Sequence, residues 1–132
     1  MKLRVIVIDD SPVQLLMAAR LIAQNEHLTL LGAYANPLLG LMAVNSMEVD
    51  MVLLDVEMPE MDGFELKAQL TKQVPVVMNS TRPTFEPMAF EAGASDFLSK
   101  PLTASGLEGI VSKIRKSREI ELNEKVVTAI AS

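Results

Sequence analysis

The 132-residue chain has no cysteine and no tryptophan, and only one histidine, one tyrosine and four phenylalanines. Without cysteine there is no disulfide scaffold, no thiolate metal site and no cysteine nucleophile. The lone His27 leaves no histidine-rich metal centre within one chain. Basic residues are few: 12 Lys and Arg stand against 17 Asp and Glu, a formal charge of -5. That balance lacks the footprint of a nucleic-acid binder, so no direct nucleic-acid contact is expected. No long hydrophobic run is present either. Met1-Lys2-Leu3-Arg4 leads into four apolar residues and then Asp9-Asp10, too short for a signal peptide or a membrane span. A cytoplasmic protein away from membranes is expected. Neither a Walker glycine loop nor a dinucleotide glycine fingerprint occurs, which disfavours a nucleotide-binding enzyme.

What is present suffices for one core: 49% of residues are hydrophobic and 22% charged, at the length of a single domain. Val5-Ile6-Val7-Ile8, Met51-Val52-Leu53-Leu54 and Val74-Pro75-Val76-Val77-Met78 are continuous apolar runs, the pattern of strands covered on both faces. Leu28 to Tyr34 and Asp96-Phe97-Leu98 complete five predicted strands. Ser11-Pro12 and Asn36-Pro37 each place a capping side chain before a proline at the first helical position. Further helices are predicted over Asp62 to Lys72, after a Thr84 cap, and after Thr103 or Ser105. The last carries the stripe Leu107, Ile110, Val111, Ile114. Five strands alternating with five helices argue an α/β, doubly wound parallel sheet. Residues 1–118 form the predicted domain. Over 119–132 the apolar stripe loses phase, and the segment is expected to be a helix extension or, preferably, a linker stub toward an output domain.

Acidic residues at strand ends carry the chemistry. Asp9-Asp10 ends the first strand and Asp55 the third. With strand order 2-1-3-4-5, these strands are neighbours and the three carboxylates converge where ligands bind in open α/β sheets. Converging carboxylates repel unless a cation lies between them, and oxygen ligands that leave room for water and phosphate suit Mg²⁺. Ser80 and Lys100 follow the fourth and fifth strands, offering a hydroxyl and an ammonium to a transferring phosphoryl group.

The strings Val7-Ile8-Asp9-Asp10-Ser11, Leu54-Asp55-Val56-Glu57-Met58-Pro59-Glu60-Met61-Asp62-Gly63 and Gly93-Ala94-Ser95-Asp96-Phe97-Leu98-Ser99-Lys100-Pro101 together resemble the receiver domain of two-component response regulators. The resemblance covers residues 3 to about 116. It implies a flavodoxin-like fold that accepts a phosphoryl group from a sensor histidine kinase. By position it makes Asp55 the phosphoacceptor and Asp10 a direct Mg²⁺ ligand. Asp9 would act through water, and Glu57 through its backbone carbonyl. Ser80 and Lys100 match the phosphoryl-binding hydroxyl and amine, and Phe97 the aromatic switch. A cis Lys100-Pro101 peptide is also implied. Asn79 departs from the family's usual apolar or small hydroxyl residue before Ser80.

The twenty positions between Ser80 and Lys100 narrow the likeness to receivers of LytTR-type transcriptional regulators, hence an expected role in transcription regulation. A pseudo-receiver that is never phosphorylated and an electron-transfer flavoprotein are the competing classes. Glu57 and Arg82 are expected to pair across the mouth of the site. Phe97 is expected to turn inward from a more exposed rotamer on phosphorylation. A homodimer is expected through the face carrying Phe85, Glu86, Met88, Lys113 and Lys116.

Overall fold

The computed structural model describes residues 1–131. Five parallel strands, β1 (Leu3–Ile8), β2 (Leu28–Tyr34), β3 (Met51–Asp55), β4 (Val76–Ser80) and β5 (Asp96–Ser99), lie in the order β2-β1-β3-β4-β5. Five helices connect them: α1 (Pro12–Ala23), α2 (Pro37–Ser46), α3 (Gly63–Ala68), α4 (Glu86–Glu91) and α5 (Ala104–Ala131). This is the doubly wound α/β arrangement expected from the alternating runs, and the flavodoxin-like fold that the resemblance implied.

Both faces of the sheet are covered, which explains why the strands do not alternate. Ile6, Ile8, Val52, Leu54, Val76 and Met78 face one layer, with Leu41 and Val44 of α2, Leu66 of α3 and Ala89 of α4. Val5, Val7, Met51, Leu53 and Val77 face the other, with Ala18 and Ile22 of α1 and the stripe Leu107, Ile110, Val111 and Ile114 of α5. The charged strand-end residues fall in step with this pleat.

Local punctuation sets the helix starts. Ser11 accepts from the Gln14 amide and Asn36 from those of Leu38 and Leu39, each before its proline. Thr103 accepts from the Gly106 amide at the head of α5. Thr84, expected to cap α4, instead lies inside a 3-10 turn over Pro83–Phe85, and α4 begins at Glu86 without a side-chain cap. Pro83 and Pro87 bracket this stretch, and each lacks the amide that a continuous helix would use. Helix α3 is also shorter than expected and ends at Ala68.

Helix α5 does not give way to a linker. It continues to Ala131, 28 residues in all, although every described residue from Glu119 onward is exposed. The expected 119–132 segment is therefore helical over its described part, and Ser132 lies outside the described residues. Among the described residues no helix is long and apolar enough to cross a membrane.

Candidate functional site at the strand ends

Asp55 is the last residue of β3, and Asp9 and Asp10 directly follow β1. Adjacent register (Ile8 with Leu54) puts Asp9 beside Asp55. One carboxylate oxygen from each of Asp9, Asp10 and Asp55 lies within 4.8 Å of the others. Asp9 and Asp55 are buried and Asp10 is half-buried. This hard oxygen set, open to solvent at Asp10, fits Mg²⁺, which keeps several waters and is held by one or two carboxylates.

Lys100 supplies the opposing charge. Its Nζ lies 2.7 Å from Asp9 Oδ2 and 3.1 Å from Asp55 Oδ1, and its side chain is 7% exposed. The Lys100-Pro101 peptide is cis, as the resemblance implied, and the amine lies within the acidic pocket. Burial opposes the Lys100 charge, but the hydrogen bond and charges of Asp9 and Asp55 outweigh it and raise its pKa. Asp55 is pushed up to about 7, first by burial and then by the Asp9 charge, against the pull of Lys100. A cation is the natural relief for that repulsion.

The backbone under Asp55 is built for close approach. A Cβ at Gly63 would meet the Asp55 carbonyl oxygen at 2.5 Å and the Met78 methyl at 2.9 Å. The Gly63 amide donates to Val56, so α3 starts tight against the end of β3. Asp62 caps that start in a reciprocal pair with Glu65.

The other expected residues have partners of their own. Ser80 ends β4, is buried, and its hydroxyl accepts from the Arg82 amide at 3.0 Å. The exposed Glu57 carboxylate pairs with Arg82, whose Nε lies 3.4 Å from its Oε1. Phe97 corrects an expectation. It is already packed at 7% exposure in the α2–α4 layer, beside Met78 in register. Its apolar ring and the Met78 and Ala89 neighbourhood give it no reason to stay in water.

One feature was noted in the sequence only as a departure from the family pattern, and a second was missed. Asn79 is buried at 3% exposure, and its Oδ1 has no hydrogen-bond partner among the described residues. At the opposite end of the sheet, buried Asp50 receives Arg4 Nε at 3.0 Å and Arg118 Nη1 at 2.7 Å. No motif marks either one, because each depends on strand register.

Comparisons with known proteins bear on the family and the fold. The profile of the response regulator receiver domain matches residues 5–112. A protein-glutamate methylesterase/protein-glutamine glutaminase from Koribacter versatilis is 33% identical over 127 residues, covering 86% of this chain and 34% of that protein. A counterpart from Vibrio vulnificus is 32% identical over 145 residues, covering 99% of this chain and 42% of that protein. The chain thus spans about two-fifths or less of these relatives. The response regulator domain of Thermotoga maritima CheB superposes with a TM-score of 0.73 at 24% identity, covering 88% of this chain and 96% of that one. Neither curated relative is named as a LytTR-type transcriptional regulator, the narrower likeness expected from the Ser80–Lys100 spacing. Matching profile, sheet order and acidic pocket coincide, and the chain belongs to the response regulator receiver domain family.

Proposed function

We propose that this receiver takes a phosphoryl group onto Asp55 from the phosphohistidine of a sensor histidine kinase in the cytoplasm, and that the adduct reshapes a protein-interaction surface. The observation that carries this reading is the Lys100 ammonium between Asp9 and Asp55 in a three-carboxylate pocket. An Asp55 oxygen bonds to phosphorus while the P–N bond breaks, and that electron pair leaves with the imidazole nitrogen. Asp10, Asp55, the Glu57 carbonyl and, through water, Asp9 would hold Mg²⁺, whose charge offsets that of the phosphoryl oxygens. Lys100 donates to one of those oxygens. The Ser80 hydroxyl, freed to rotate, donates to another.

The surface that responds is formed by α4, β5 and α5, and we assign it a second copy of the chain as partner. Met88 and Phe90 on α4 are 49% and 46% exposed. Lys113, expected to bridge to the partner, already holds Asp96 at 2.7 Å, which leaves Lys116 opposite Glu86. Since Phe97 is packed before phosphorylation, the change starts from Ser80 and the turn at Arg82. The names of the curated relatives support a methylesterase class of output over transcription regulation.

Incubation with Mg²⁺ and acetyl phosphate should add one phosphoryl mass to the protein, and Asp55→Asn should abolish the addition. An adduct on Asp9 or Asp10 of the parent would refute the assignment. No adduct at all would favour a pseudo-receiver, a fixed interaction module on the same fold.

A further inference from the structure

The buried amide of Asn79 is the feature of this site that the mechanism above leaves unused. Its Oδ1 is sealed from solvent with no partner among the described residues, a state that ordinarily costs free energy. Its position is set by the sheet. Asn79 is in register with Asp55 on one side and with Leu98 on the other, and partners across a parallel pair point to the same face. Asp9, Asp55, Asn79 and Leu98 therefore form one row on the α1–α5 face. Ser80, one residue on, points to the opposite face.

Lys100 crosses that row. It leaves the end of β5, yet its ammonium reaches Asp55 on β3 and Asp9 beyond β1. Strand β4 lies between β5 and β3, so the Lys100 stem passes over the end of β4 on the face that carries Asn79. An ammonium has three N–H donors, and the two carboxylates take two of them. A vacant acceptor and a spare donor thus occupy the same small, buried region.

We propose that Asn79 is a positioning residue for Lys100: its carboxamide oxygen accepts the third ammonium N–H once a phosphoryl group occupies Asp55. Formation of the acyl phosphate removes the charge of the Asp55 oxygen that bonds phosphorus and places phosphoryl oxygens further out. Lys100 then shifts toward them, and Asn79 holds the amine at that setting. The amide is idle in the resting protein and engaged in the modified one, so its hydrogen bond favours the modified state alone. This inference rests on Asp55 being the phosphoacceptor.

Asn79→Leu keeps the volume and removes the acceptor, while Asn79→Thr restores an oxygen. Beryllofluoride with Mg²⁺ serves as the phosphoryl probe. The parent should bind it, and Asn79→Leu should bind roughly tenfold more weakly, as expected for one lost hydrogen bond to a charged group. Asn79→Thr should recover part of the loss. The thermal midpoint of resting Asn79→Leu should equal or exceed that of the parent. In nitrogen-15 spectra, the Lys100 ammonium resonance of the beryllofluoride complex should move in Asn79→Leu, and that of the resting protein should not. Equal affinity for parent and Asn79→Leu overturns the inference, as does a weaker variant whose Lys100 resonance in the complex is unmoved. A parent that neither binds beryllofluoride nor gains a phosphoryl mass at Asp55 overturns the phosphoacceptor reading itself, a result distinct from either.

Discussion

Arg82 Nε lies 3.4 Å from Glu57 Oε1, joining the residue two past Asp55 to the residue two past Ser80. Both side chains are substantially exposed, at 67% and 44%, so the pair contributes only ~0–1 kcal/mol to stability. Its expected effect is steric and electrostatic, on the in-line entry of the water that would cleave an acyl phosphate at Asp55.

The double variant Glu57→Ala, Arg82→Ala should lose its phosphoryl group several-fold faster than the parent, with unchanged folding stability. Decay of the labelled protein after removal of donor measures this. Matching decay rates would remove the pair from any role in lifetime.

Gly63→Ala tests the close contact beneath the site. Its new methyl would press on the Asp55 carbonyl and the Met78 methyl, an overpacking that costs about 1–3 kcal/mol. Urea unfolding should show that loss, and phosphorylation should slow because the Asp55 backbone must move. Unaltered stability would mean that α3 shifts freely.

Asp50 gives a pH signature. Its burial favours the neutral form, but hydrogen bonds from the Arg4 side chain and backbone and the Arg118 charge prevail and lower its pKa. An acid depressed in the folded state stabilises the protein above its unfolded pKa of ~3.9. That stability is lost as pH falls through the folded value. Asp50→Asn should therefore destabilise at neutral pH by about 1–3 kcal/mol, and its difference from the parent should shrink in acid below pH ~4. Urea midpoints across the acid range provide the check, and a constant difference would contradict the assignment.

Sedimentation with and without beryllofluoride tests the α4–β5–α5 dimer. Association should tighten with the mimic, and Met88→Asp should prevent it by placing a charge in the apolar contact. A protein that stays monomeric under both conditions well above micromolar concentration would exclude the second copy as partner.

The fold was legible because the strands are covered on both faces. Val5–Ile8 and Met51–Leu54 read as continuous apolar runs, and Ser11-Pro12 and Asn36-Pro37 mark helix starts by side-chain chemistry confined to a few residues. The acidic cluster was equally legible, since Asp55 ends β3 while Asp9, Asp10 and Lys100 directly follow the recognisable strands β1 and β5. Contacts between distant segments were not. Arg4, Asp50 and Arg118 meet only through register and helix docking, and the isolation of Asn79 appears only when β3, β4 and β5 stand side by side. Phe97 misled because exposure depends on the layer above the sheet. Past Glu119 the sequence allowed a helix extension or a linker, and the helix prevails because propensity and local spacing sustain it even where its apolar stripe ends.

Arg118 Nη1 holds Asp50 Oδ1 at 2.7 Å, pinning α5 to the start of β3, and thirteen described helical residues follow it. At ~1.5 Å per residue these extend about 20 Å past that anchorage. The helix is then a lever with its fulcrum at Arg118. A tilt of only ~5° in the packed segment displaces the helix at Ala131 by ~2 Å, a helix shift of the size that switches use. Rearrangement at β4 and β5 therefore need not be large to be felt far from the phosphoryl group. Cutting the Arg118 tether would loosen the fulcrum while leaving the chemistry at Asp55 in place.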